Sequence, residues 1–292
     1  MTTPLHTLIA QQAHALQAAH VQFGQGTLNA FDEAAWLTLW QLGLPLDTDI
    51  DADDALVPCA EQVQAVQALV QRRISTRQPA AYLTQEAWLQ GVPFYVDERV
   101  IIPRSLIAEP LADGSIDVYL DPNTRRVLDL CTGNGSLAVL CALAWPEVEV
   151  DAADISDDAL AVARINVDKH NLGERIRLLH SNGLSQCQGP YDLIVCNPPY
   201  VNAQSMRELP DEFRAEPDLA LAGGDDGMDF VRPLLAQAPQ FLSEHGVLVL
   251  EIGHERTYFE AAFPHLNPLW LETSAGADQV LLLTRSDLTQ AS

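Results

Sequence analysis

The chain has 292 residues, 48% of them hydrophobic, enough for one large domain and a smaller one with a buried core. Its 40 acidic against 16 basic residues give a formal net charge of −24, which opposes non-specific attraction to a nucleic-acid backbone and suits either a basic partner or plain solubility. Five cysteines without a C-x-x-C pair read as reduced thiols, and eight histidines without ligand spacing offer no metal site. With no basic amino-terminal region and no apolar run of roughly 20 residues, a cytosolic (cytoplasmic) protein is the expectation.

Residues 5–22 are rich in alanine and glutamine, and Leu8, Ala15, Leu16 and Ala19 share one helical face. Phe23-Gly24-Gln25-Gly26-Thr27 breaks that helix, and helical periodicity resumes from Asp32 to Trp40. The acidic piece Asp47–Asp54 reads most simply as a solvated connection; calcium is the alternative, although the glycine and distal glutamate of an EF-hand are missing. Residues 59–77 form a third helix, with Val63, Val66, Leu69, Val70 and Ile74 on one stripe and arginines near its end. The period then changes. Ala87-Trp88-Leu89 and Phe94-Tyr95-Val96 flank Gln90-Gly91-Val92-Pro93 as a hairpin, followed by Val100-Ile101-Ile102 and Pro103-Arg104.

From Arg125 onward strands and helices alternate. Val127–Leu130 is a buried strand running into Cys131-Thr132-Gly133-Asn134-Gly135, with a helix from Leu137 to Trp145 behind it. Glycines in such a turn let a ligand approach the backbone, and no Lys-Ser or Lys-Thr follows to make it a phosphate loop. The strand Val148–Ala153 ends at Asp154, and the helix Asp157–His170 is capped by Asp157 or Ser156. An acid ending the second strand, 19 residues after Gly135, is placed to accept hydrogen bonds from both hydroxyls of a ribose. Further strands are expected over Arg175–Leu179, Tyr191–Cys196, Gly246–Ile252, Leu269–Thr273 and Val280–Thr284. Helices are expected over Met228–Leu242 and Glu255–Phe263, with a loop over residues 202–222. The layout predicts a mostly parallel sheet covered on both faces, closed by an antiparallel pair around Ser274–Asp278.

The strand Tyr191–Cys196 ends in Asn197-Pro198-Pro199-Tyr200. Prolines there stop the strand and hold an amide and an aromatic ring at the sheet's carboxyl edge, where open α/β sheets bind ligands. With Asp-Leu-Cys-Thr-Gly-Asn-Gly at 129–135 and Asp154, this tetrapeptide resembles the S-adenosylmethionine-dependent methyltransferases of the seven-stranded, Rossmann-like class I. Within them Asn-Pro-Pro-Tyr occurs in enzymes that methylate planar nitrogens, among them DNA adenine-N(6) and protein glutamine-N(5) methyltransferases. Residues 94–105 look like the linker hairpin of the glutamine branch, and Leu221–Gly227 like its loop after the catalytic motif. Phe23–Ala30, Asp32-Glu33-Ala34 and Ala81–Thr84 resemble the branch acting on ribosomal protein L-three rather than the release-factor branch.

The resemblance implies a helical, substrate-recognising N-terminal domain over 1–84, a hairpin linker over 85–110 and a Rossmann-like catalytic domain over 111–292. It implies S-adenosyl-L-methionine as cofactor, held by Asp129, Cys131, Thr132, Gly133, Asn134, Gly135, Asp154, Ile155, Asn182, Gly183 and Asn197, with no metal. Relatives commonly carry an acid and a bulky residue where this chain has Asn182-Gly183, beside the adenine. Asn197, Pro198, Pro199, Tyr200 and Arg104 would bind substrate, the first two and Tyr200 being catalytic. The partner implied is a basic large-subunit ribosomal protein, with no membrane and no sequence-specific nucleic acid.

The chemistry suits those residues. A carboxamide nitrogen is a poor nucleophile with two hydrogens in one plane, so two acceptors must hold it. The Asn197 side-chain oxygen and the Pro198 carbonyl supply them, Tyr200 packs against the amide, and alignment carries much of the rate without a strong general base. A nucleic-acid adenine methyltransferase and a non-catalytic ribosome-assembly factor are the competing readings. A single lysine, Lys169, and no basic stripe disfavour the first; intact motifs disfavour the second.

Overall fold

The computed structural model describes residues 3–52 and 55–290; Met1, Thr2, and Asp53 and Asp54 of the acidic connection lie outside the described residues. The chain forms two compact units, Met1–Ala87 with Pro210–Ala215, and Trp88–Leu209 with Glu216–Ser292.

The first unit holds α1 (Leu5–Ala18), α2 (Ala30–Leu42), α3 (Ala60–Thr76) and α4 (Ala80–Thr84). The first helix stops short of the expected residue 22 because His20 takes a left-handed φ of 52°. Asn29 caps α2 by accepting from Phe31 and Asp32, and Gly43 closes it in the left-handed conformation. Between the helices runs a buried ionic network. Arg73 Nε meets Glu33 Oε1 at 2.8 Å, and Arg77 reaches Glu212 Oε1 at 3.2 Å.

Passing through β1 (Glu86–Leu89) the chain enters the second unit, and β2 (Val92–Tyr95) completes the hairpin. Gln90 and Gly91 both have positive φ, so the turn needs only those two residues, and Val92 and Pro93 join the strand rather than the loop. Then follow α5 (Ala108–Ala112), β3 (Arg126–Leu130), α6 (Ser136–Ala144), β4 (Glu149–Asp154), α7 (Asp157–Lys169), β5 (Ile176–His180) and β6 (Tyr191–Cys196). The last stretch carries α8 (Ala203–Glu208), α9 (Val231–Gln237), β7 (Leu242–Glu251), α10 (Arg256–Ala262), β8 (Leu269–Thr273), β9 (Gly276–Thr284) and α11 (Arg285–Gln290).

Seven strands lie in the order β5-β4-β3-β6-β7-β9-β8; β9 runs antiparallel to both neighbours, and the other pairings are parallel. The expected α/β class and the antiparallel closing pair are found. Ser156, not Asp157, caps α7, its Oγ accepting from Ala159 at 3.1 Å. Three further expectations are corrected. The helix over Met228–Leu242 shrinks to Val231–Gln237 and a 3₁₀ turn, because Pro239 has no N–H and the Phe241 carbonyl is taken by Tyr191 N at 2.7 Å. Strand β7 therefore starts at Leu242, paired with Tyr191, instead of Gly246. The loop 202–222 also contains the short helix α8, which Asn202 caps.

Alternation along β6 divides the core: Leu193 and Val195 pack with α6 on one face, Ile194 and Cys196 with α9 and Phe259 on the other. Each such fully buried aliphatic contributes about 1.5–3 kcal/mol, so the sheet's carboxyl edge is a stiff platform. Among the described residues no helix is long and apolar enough to cross a membrane.

Candidate active site

Strand order reverses at β3, whose neighbours β4 and β6 are reached by crossovers in opposite directions, and the loops leaving these three strands meet at their carboxyl ends. The first is the glycine turn. Cys131, Gly133 and Gly135 all have positive φ (62°, 55° and 81°), and at Gly135 a Cβ would sit 3.2 Å from that of Ala163, so the turn is wound tightly against α7. Asp129, fully buried, braces it from below: one oxygen accepts from Thr132 Oγ1 at 2.5 Å and Ala138 N at 2.9 Å, while the other has no partner among the described residues. Desolvation pushes its carboxyl up to about 7.

At the end of β4, Asp154 accepts from Gly133 N through one oxygen and from Ser156 N through the other, each at 2.9 Å. Burial raises its carboxyl above the ordinary range despite those bonds. The loop after β5 is folded back by Ser181, whose Oγ donates to Gly183 O at 2.6 Å. At the end of β6, Val201 N reaches Leu221 O at 2.8 Å and Gly223 N reaches Val201 O at 2.9 Å, which lays the segment 217–223 beside the Asn-Pro-Pro-Tyr run.

These loops enclose a cavity of about 320 Å³. Cys131, Gly133, Asp154, Ile155, Asn182, Gly183, Asn197, Pro198, Pro199, Tyr200 and Arg104 all line it. Asp129, Thr132, Asn134 and Gly135 are not among its lining residues; they shape the turn from behind. The Asn197 carboxamide makes no hydrogen bond among the described residues, and no donor among them reaches the Pro198 carbonyl. Arg104 is held by Glu216 in a two-pronged pair, at 2.5 and 2.7 Å. The Tyr200 hydroxyl donates to Glu251 Oε1 at 3.2 Å.

Several contributors escaped the sequence reading. Ile101, Pro217, Leu219 and Phe230 add apolar wall, and Asn166 ties the hairpin to the glycine turn by donating to Tyr95 O at 2.9 Å and Asn134 O at 2.8 Å. The apolar residues carried a signal only as hydrophobic positions inside loops. Asn166 carried none, being one more polar residue on a helix.

Seven strands with one of them reversed, a glycine turn after the first, an acid ending the second and an amide-proline run ending the fourth define a class I methyltransferase, and residues 116–222 match the family model of the methyltransferase small domain. Proteins named ribosomal protein uL3 glutamine methyltransferase are 54% identical in Bordetella pertussis, over 97% of this chain and 96% of theirs, and 51% identical in Burkholderia pseudomallei, over 98% and 97%. This chain belongs to that family of S-adenosylmethionine-dependent enzymes. Among solved structures, the hMettl16 catalytic domain in complex with the MAT2A 3'UTR hairpin 6 is similar in fold, with a TM-score of 0.52 and 14% identity over 80% of this chain and 85% of that one.

Proposed function

We propose that this chain methylates the side-chain amide nitrogen (N5) of a glutamine in ribosomal protein uL3 of the large subunit, with S-adenosyl-L-methionine as the methyl donor. The observation that carries the reading is that Asn197 and Pro198 both line the cavity while the Asn197 carboxamide and the Pro198 carbonyl make no hydrogen bond among the described residues. Two acceptors match the two hydrogens of one carboxamide.

The residues present fit the donor. Asp154, although Gly133 N and Ser156 N donate to its two oxygens, keeps acceptor capacity for a ribose hydroxyl. Gly183, in the lining, has open space where a Cβ would stand, and Cys131 and Gly133 present the glycine turn to the same cavity. When bound, the donor supplies a methyl group on a positively charged sulfur. The chain's own residues do the rest: Asn197 and Pro198 fix the plane of the substrate amide, the Tyr200 ring walls it, and the apolar lining excludes water. The nitrogen gains a methyl group and loses a proton, which turns acidic only as positive charge develops there, so water suffices to remove it.

The helical residues 1–84 serve substrate recognition in this reading, 85–110 link, and 111–292 catalyse. A net charge of −24 favours a basic ribosomal protein, free or in an assembly intermediate, as partner in the cytoplasm. The test offers methyl-labelled donor with uL3, a release factor and DNA in separate reactions. Label on a uL3 glutamine is expected; label confined to the release factor or to DNA overturns the proposal.

A further inference from the structure

Glu251 ends β7 at the same carboxyl edge as Asn197, is 3% exposed, and forms no ion pair among the described residues. Both its oxygens are committed. Oε2 accepts from Ser105 Oγ at 2.6 Å and Leu106 N at 2.9 Å, and Oε1 accepts from the Tyr200 hydroxyl at 3.2 Å. A buried carboxylate without a cation is costly, and three donors converging on it offset only part of that cost. The arrangement is explained if the carboxylate has a task at the phenol end.

The rest of the Tyr200 seat points the same way. Gly253, two residues past Glu251, has φ of 54°, and a Cβ there would lie 2.4 Å from the Tyr200 ring. Cβ atoms at Gly223 and Gly227 would come within 2.7 and 2.3 Å of the Tyr200 backbone. Three glycines thus let other segments close directly on this residue, and the Glu251 bond fixes the far end of its ring.

We propose that Glu251 is a positioning residue for methyl transfer: by holding the Tyr200 hydroxyl it sets the ring plane that walls the substrate carboxamide, and Ser105 in turn holds Glu251. This rests on the glutamine-methylation reading for its substrate. The wall geometry itself does not depend on which planar nitrogen is methylated.

The test compares Tyr200→Phe, Glu251→Ala and the double variant in the full chain. Tyr200→Phe keeps the ring and removes only the bond, and is expected to lower kcat about tenfold while donor affinity holds and the stability loss stays within that of one stranded acceptor. Glu251→Ala should lower kcat at least as much, and the double variant should lose no more than Glu251→Ala alone. Tyr200→Phe with kcat within about twofold of the parent, or losses that multiply in the double variant, overturns the proposal. A second readout needs no substrate. With 3-fluorotyrosine incorporated and the Tyr200 line assigned from its absence in Tyr200→Phe, Glu251→Ala should shift or broaden that fluorine resonance; an unmoved line overturns the proposal. Should the parent methylate something other than uL3, the substrate assignment fails while the fluorine result still decides the role of Glu251. If Glu251→Ala does not fold, Tyr200→Phe decides alone.

Discussion

Replacing Asn197 by alanine separates catalysis from folding, because of what that side chain does not do. Its carboxamide bonds to no described residue, so truncation strands no partner inside the protein, and stability should change by no more than about 1 kcal/mol. The donor's proposed anchor, Asp154, ends a different strand and keeps its bonds to Gly133 and Ser156, so donor affinity should stay within about threefold. In the proposed clamp the substrate amide, however, would lose one of its two acceptors just where its nitrogen turns positive. A preorganised hydrogen bond in a water-poor site is worth about 3–4 kcal/mol in such a transition state, a fall in kcat of roughly 10²–10³. Steady-state methyl transfer to uL3, calorimetric titration of the donor and a thermal melt measure the three quantities. A kcat within tenfold of the parent, or a collapse of the melt together with activity, refutes the reasoning.

Three further outcomes are expected. Asp154→Ala should weaken donor binding by roughly 10- to 100-fold in calorimetry while kcat at saturating donor falls less, since a carboxylate with acceptor capacity for a ribose hydroxyl is lost and the amide clamp is untouched. Asp129, with a folded-state carboxyl near 7 against an ordinary 3.8, gives stability that is whole below pH 3.8 and is lost as the pH rises through 7. Urea unfolding of the parent and Asp129→Asn from pH 5 to 7 should therefore converge or cross by about 2 kcal/mol, the slope of ~1.4 kcal/mol per unit falling off near pH 7; a pH-independent difference contradicts the burial argument. Arg73→Met should cost about 3–5 kcal/mol in the same assay by stranding Glu33, whose carboxyl burial already raises, and adding Glu33→Gln should recover part of it.

The parts legible from sequence are those whose signal is local. Leu193–Cys196 is an uninterrupted apolar run stopped by Pro198, so both the buried strand and the position of Asn197 at its end follow from a dozen residues. The glycine turn and Asp154 are equally local, since both sit where a strand gives way to a helix. The misread helix after Met228 shows where local signals fail: its apolar spacing stays helical through Pro239, and the strand that cuts it short is set by pairing with Tyr191. The supports of the site are less legible still. Ser105 and Glu251 lie 146 residues apart, and Asn166 lies 71 residues from the Tyr95 backbone it grips. No periodicity couples positions so distant, because the pairing exists only once the sheet has brought the strand ends together.

Arg104 illustrates the same limit from the other side. The resemblance implied a substrate contact for it; the structure places it in the cavity wall, where Glu216 takes two of its donors and the Ile102 carbonyl a third at 3.1 Å. Glu216 Oε1 also accepts from Ile102 N at 3.0 Å. A guanidinium bound on that many sides is stiff, and a stiff cation spends its charge on its own carboxylate rather than on a neutral amide. The pair thus fastens the segment entering Pro217–Leu221 to the strap after the hairpin, so in the proposed reaction Arg104 would act on a glutamine through the shape of the wall, and the amide's own hydrogens would be left to Asn197 and Pro198.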